Sequence, residues 1–186
     1  GNGANGASGA GVNSGGMKFT VSGLPGVPLI IQDNEVYENE KGIGIWCDIA
    51  CLNFHVINNY VHDEEYRGIF YEISSGAVIR DNRLENIGSF NTDFTRDWEP
   101  GAIGLGESSD SIIENNTVSD SRAGVVITQT LRPAGGEDWL QRNINENTWG
   151  DDLNLIIGTT QVVGNTITNT GAMGVAVGQT GLGLDI

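Results

Sequence analysis

Two hexapeptides, GIWCDI (Gly44–Ile49) and GIFYEI (Gly68–Ile73), place an acid at the same position, Asp48 and Glu72. Each acid stands two residues after an aromatic, Trp46 and Phe70. On neighbouring turns of a stacked chain, equivalent residues lie about 5 Å apart at the backbone. Two carboxylates at that spacing suit one raised and one ordinary pKa, the arrangement of an acid/base pair. They also approach the carboxyl separation of a retaining glycosidase. With further oxygens the same pair is a calcium site. The C–H faces of sugar rings pack on rings such as Trp46 and Phe70. Lys18, in GGMKFT, falls in the same frame and can pair with Asp48 or, if desolvated, act as a base. The candidate catalytic residues are therefore Lys18, Asp48 and Glu72, with Asp48 and Glu72 doubling as calcium ligands. The same row is also explained without a ligand, as solvated charges beside a structural aromatic stack.

These residues are placed by a repeat. Asn, any residue, aliphatic recurs at Asn34, Asn59, Asn82, Asn116 and Asn165, with Ile31, Val56, Ile79, Ile113 and Val162 three positions earlier. A second half-motif, Gly then aliphatic, follows at Gly44, Gly68, Gly101, Gly124 and Gly174. The apolar runs are short, rich in Val and Ile, and alternate with period two, which marks strands rather than helices. Short strands repeating about every two dozen residues form a stacked parallel sheet. The fold class read from this is all-β, a right-handed single-stranded parallel β-helix of about six or seven coils. The Asn spacings are 25, 23, 34 and 49. The third is a coil plus an insertion. The last reads as two coils, with a degraded one around Trp149 to Ile157. The recurring Asn is expected to turn the chain and to bond its counterpart in the next coil.

Because the solenoid core must be apolar, the aliphatics define the inner face. Ile45, Cys47, Ile69 and Tyr71 then point in, and Trp46, Asp48, Phe70 and Glu72 point out to water. Met17 and Phe19 fall inside, and Lys18 stands beside Trp46. Along the outer strip, later coils carry Gly104, Val126 and Ala176 at the aromatic position and Gly106, Thr128 and Gly178 at the acid position. Two polar insertions flank it, at about 89–100 and 128–142. They carry Arg96, Trp98 and Trp139, which are assigned with Trp46 and Phe70 to substrate binding.

Composition bounds the partners. With 24 acidic against 9 basic residues and a net charge of −15, the chain is excluded as a nucleic-acid binder. An acidic polysaccharide is accessible only through a local basic site or a bound cation. No run of apolar residues is long enough for membrane insertion, and no signal peptide stands at the start. Cys47 and Cys51 are either a disulfide, fitting an oxidising compartment, or two thiols in the core. His55 and His62 are read as surface or turn residues. His62, Asp63, Glu64 and Glu65 form an acidic turn with weak affinity for a cation. Asn91-Thr92-Asp93 and Asp151-Asp152 look like hydrolase motifs but lack the spacing of one coil, and the sequon Asn115-Asn116-Thr117 lies in the expected ladder.

GGMKF, GIWCDI and GIFYEISSGAVIRDN together resemble bacterial secreted right-handed parallel β-helix repeat proteins, well over Gly15 to Asn86 and only at the level of the repeat beyond. The wider class contains polysaccharide lyases, hydrolases and uronan epimerases. The resemblance implies a single domain over 1–186, a piece of a longer solenoid, secreted or at the cell surface. It also implies a polysaccharide or cell-surface glycan as partner and Lys18, Trp46, Asp48 and Glu72 as its site. The epimerase-type Asp-Pro-His signature and an obvious pectate-lyase calcium cluster are both absent, which leaves the reaction open between lyase, glycoside hydrolase and simple binding. The rival reading is a structural or adhesive module associating end to end through exposed edge strands.

Overall fold

The repeat is realised as three parallel sheets in a computed structural model, which describes residues 15–24, 26–40, 42–88, 101–130 and 159–180. Three strands make each turn. The long sheet holds β1 (Gly15–Thr20), β4 (Ile43–Asp48), β7 (Arg67–Glu72), β10 (Gly101–Gly106), β13 (Ala123–Thr130) and β16 (Val175–Thr180), in that order. The second sheet holds β2 (Leu29–Gln32), β5 (Phe54–Ile57), β8 (Val78–Arg80), β11 (Ser111–Glu114) and β14 (Thr160–Val163). The third holds β3 (Glu35–Tyr37), β6 (Tyr60–Glu64), β9 (Arg83–Ile87), β12 (Thr117–Ser119) and β15 (Thr166–Thr168). Each strand pairs with its counterpart one turn away, so this is the right-handed parallel β-helix expected.

The core is one apolar column. Ile45, Ile69, Ile103 and Val125 from the long sheet meet Val56, Ile79 and Ile113 from the second and Val61, Leu84 and Val118 from the third, all fully buried. The asparagine ladder lies at the corner between the second and third sheets. Asn34 Nδ2 donates to Asn59 Oδ1 at 2.9 Å, Asn59 to Asn82 at 3.0 Å, and Asn82 to Asn116 and Asn116 to Asn165 at 2.9 Å. The turn itself is made one residue earlier, by Asp33, Asn58, Asp81 and Asn115, all at positive φ. Asp and Asn tolerate that conformation because their short side chains bond locally. The ladder asparagines satisfy buried backbone groups instead.

The 49-residue interval is corrected. Asn116 bonds Asn165 directly, and β11, β12 and β13 pair with β14, β15 and β16. The two turns stack directly, so the long sheet has six strands among the described residues. The second insertion also begins later than expected, because β13 runs on to Thr130. Cys47 and Cys51 are disulfide-bonded, which resolves the alternatives left by the sequence.

Candidate functional site

The outer face of the long sheet carries the predicted strip in the predicted register. Lys18 pairs with Trp46 and Trp46 with Phe70, while Thr20, Asp48 and Glu72 run alongside. Gly104, Val126 and Ala176 continue the first row, and Gly106, Thr128 and Gly178 the second. Lys18 Nζ lies 3.6 Å from the centre of the Trp46 ring and 2.9 Å from Asp48 Oδ2. It is thus ion-paired with Asp48 and packed on the Trp46 ring.

The expectation that the two rings face water is corrected. Trp46 is 4% exposed and Phe70 8%, and with Ile43 they form a small second cluster against Tyr66. The rings are outside the solenoid but covered. What remains open to a ligand is the polar edge: Lys18 and Thr20 exposed, Asp48 and Glu72 half-buried.

A residue not foreseen completes the strip. The in-out alternation breaks once per turn, where Gly44 and Gly68 both face the interior. A Cβ on Gly44 would stand 2.8 Å from Val61, and one on Gly68 2.8 Å from Leu84. The residue before each glycine is thereby thrown outward, and in β7 that residue is Arg67. Its guanidinium lies 3.9 Å over the Phe70 ring and 5.0 Å from the Tyr66 ring. Gly104 and Gly106 leave the floor on which this stack rests. A Cβ at 104 would stand 2.9 Å from Phe70 Cδ2 and 3.4 Å from Arg67 Nη1, and one at 106 would stand 3.1 Å from Phe70 Cζ. Arg67 is 6% exposed, and its Nε and the Trp46 Nε1 are buried without a hydrogen-bond partner.

The third sheet presents a different outer face, also unforeseen. Glu35, Tyr60 and Arg83 form one row, and Tyr37, His62 and Glu85 the next. Tyr37 stacks on His62 at 5.1 Å and 7°, and Tyr60 packs on His62 at 4.2 Å. His62 Nδ1 lies 2.7 Å from Asp63 Oδ2, and Nε2 lies 3.2 Å from Glu35 Oε1. Burial pulls the His62 pKa down, but the hydrogen bonds to Asp63 and Glu35 outweigh it, and the net shift is upward. His62 therefore lies on the surface as expected, but within a cluster of partners. His55 is half-buried beside Asn53, and burial lowers its pKa, followed by the charge of Arg80.

The acidic turn is also revised. Asp63 turns the chain at positive φ, and Glu64 points into the solenoid, fully buried. Its Oε1 accepts from Asn39 Nδ2 at 2.6 Å. Burial pushes its pKa up to about 7, against the opposing bonds from Asn39. Among the described residues no group of three or more His, Cys, Asp or Glu is placed to hold a metal ion. Asp48 and Glu72 would thus bind calcium only with oxygens from elsewhere. Arg96, Trp98 and Trp139 lie outside the described residues, as do Asn91-Thr92-Asp93 and Asp151-Asp152. No described helix is long and apolar enough to cross a membrane.

A family model described as "Right handed beta helix region" matches residues 4–132. Among solved structures, the chain matches a mutant of the periplasmic alginate epimerase AlgG at 15% identity and a TM-score of 0.41. That match covers 82% of this chain and 40% of the other, so the chain spans less than half the length of that relative. No curated protein matches.

Proposed function

The chain belongs to the right-handed beta helix family, and on that premise we propose that it binds and processes a polysaccharide along the outer face of the long sheet. One observation carries this reading. The register brings Lys18, Asp48 and Glu72 together as a polar edge beside two aromatic rings, on a wall that continues in small residues along the later turns. Asp48 and Glu72 stand directly opposite on adjacent strands. They act as the acid/base pair of a glycoside hydrolase or lyase, or share a calcium ion with the glycan. Lys18, held by Asp48, stabilises negative charge. The Cys47–Cys51 disulfide supports a secreted or cell-surface location.

The test is turnover on a polysaccharide panel with wild type, Glu72→Gln and Lys18→Ala. The wild type is expected to turn over at least one glycan, with Glu72→Gln lowering kcat by a factor of roughly 100 or more. Equal inertness of all three on every glycan removes the enzymatic reading.

A second reading, end-to-end self-association, has its own observation. Among the described residues, the exposed large apolar side chains lie on the first described turn (Val21, Leu24, Val27, Ile30, Tyr37) and the last described one (Val163, Met173, Val175, Val177). Such edges favour strand addition. Its test is mass in solution, where a concentration-independent monomer argues against assembly.

A further inference from the structure

Among the described residues, Arg67 has no anionic partner. Among the described residues, Lys18, Arg80 and Arg83 each have a carboxylate partner, Asp48, Asp81 and Glu85. Arg67 is more deeply buried than any of these and makes no ion pair there; its contacts are the faces of Phe70 and Tyr66. Removing a charge from water without a partner is costly, and ring contacts offset only part of that cost. The site is nonetheless built for it. The alternation break at Gly68 throws Arg67 outward, and Gly104 and Gly106 clear the space in which it stacks on Phe70. Three residues further along the register, on the neighbouring strand, Trp46 Nε1 is a second buried donor without a hydrogen-bond partner. Two unsatisfied donors on one face, both buried, call for oxygens supplied by a ligand.

We propose that Arg67 and Trp46 read an anionic substituent, a carboxylate or a sulfate ester, on the glycan bound to the strip. This rests on the reading of the strip as a glycan site and names the chemical class it takes. A guanidinium presents a planar fork of N–H donors that matches the paired oxygens of a carboxylate or sulfate. The indole N–H supplies one more donor. The sugar lies along the open edge formed by Lys18, Asp48 and Glu72, and its acidic group enters towards Arg67. A chain carrying −15 overall thereby gains a local positive site for an acidic polymer.

The experiment uses the full chain labelled with nitrogen-15 and follows the Trp46 indole N–H, assigned with Trp46→Phe. Three oligosaccharides of equal length are titrated: a neutral glucan, a uronan and a sulfated glucan. The uronan or the sulfated glucan is expected to shift the Trp46 signal with an affinity roughly 10- to 100-fold above that of the neutral glucan. Which of the two does so distinguishes carboxylate from sulfate. Arg67→Gln is expected to abolish the preference while leaving the weak neutral binding in place. Arg67→Met, which keeps the packing on Phe70, is expected to melt at or above the wild-type temperature without ligand.

Equal affinity for all three probes overturns the proposal and leaves the strip as a glycan site. No shift with any probe removes both. A marked fall in melting temperature for Arg67→Met, together with unchanged preference in Arg67→Gln, assigns Arg67 to structure alone and also overturns it.

Discussion

The outer faces of the long and third sheets are made of the same parts put together differently. Each stacks aromatic rings across adjacent turns, and each sets cations and carboxylates among them. On the third sheet, every charge has an answer. His62 faces Asp63 and Glu35, Arg83 faces Glu85, and Tyr37 stands 51% exposed. On the long sheet the rings are covered, and Arg67 lies beneath the surface with no ion pair to any described residue. A compensated, wet cluster is what a solenoid wall produces when charges along neighbouring strands settle against one another. A dry cluster holding a cation with no described counter-charge gives up stability, a concession of the kind found where proteins bind ligands.

The sharpest way to break this contrast is to remove one ring from each face. Phe70→Ala is expected to cost roughly 3–5 kcal/mol, because it empties a buried position and takes away the surface on which Arg67 rests. Tyr37→Ala should cost less than about 1 kcal/mol, since half of that side chain is already in water. Urea midpoints measure both. Similar losses at the two sites would mean that the faces differ in appearance only.

Glu64 sits at the corner joining the two sheets and sharpens the comparison through pH. Its pKa in the folded state is raised to about 7, so the native chain holds a proton that the unfolded chain releases near 4.5. The folded state therefore binds more protons across that window, and stability falls as pH rises through it. At about 1.4 kcal/mol per unit, the loss approaches roughly 3 kcal/mol once Glu64 is ionised. Glu64→Gln keeps an acceptor for Asn39 Nδ2 and carries no charge. It is expected to match the wild type near pH 4 and to exceed it above pH 7, by roughly 2–3 kcal/mol. Thermal melts across that range decide the point. A variant less stable than wild type at pH 8 would show that the carboxylate is welcome in its site.

The solenoid and its register were open to reading because stacking repeats the same physical demand every turn. The frame anchored on Gly44 and Gly68 placed Trp46 over Phe70 and Asp48 over Glu72 correctly. Exposure was not legible, because parity says which side of a sheet a ring takes and not what covers it; Tyr66, the residue just before β7, packs against that cluster. Arg67 was not legible because simple alternation turns it inward, and only the break at Gly68 turns it out. The third-sheet face is written in the spacing of the repeat. Glu35, Tyr60 and Arg83 follow the ladder asparagines by one residue, and Tyr37, His62 and Glu85 by three. Asn39 and Glu64, five residues after their asparagines, were available in the same way. The interval from Asn116 to Asn165 misled because its length alone cannot separate an added coil from an excursion.

The smallest expected effect belongs to His62, and its smallness is the point. Its pKa is raised in the folded state, so its contribution is present below the ordinary histidine value and is lost as pH rises through the folded one. Glu64 also makes stability fall with rising pH, so direction alone does not separate the two. Salt does. The partners of His62 are open to solvent, with 60% of the Glu35 side chain and 48% of the Asp63 side chain exposed. An ion pair of that kind is worth roughly 0.2–1 kcal/mol and is screened when the Debye length falls to about 3 Å near 1 M salt. His62→Gln is therefore expected to lower stability by less than about 1 kcal/mol at pH 5 in dilute buffer. The difference should vanish at pH 8 or in about 1 M salt. The effect of Glu64→Gln, arising from desolvation in the core, should survive the salt. Should His62→Gln prove as damaging as Phe70→Ala, or insensitive to salt, the third-sheet cluster would have to be counted as part of the core. The distinction that singles out Arg67 would then fail.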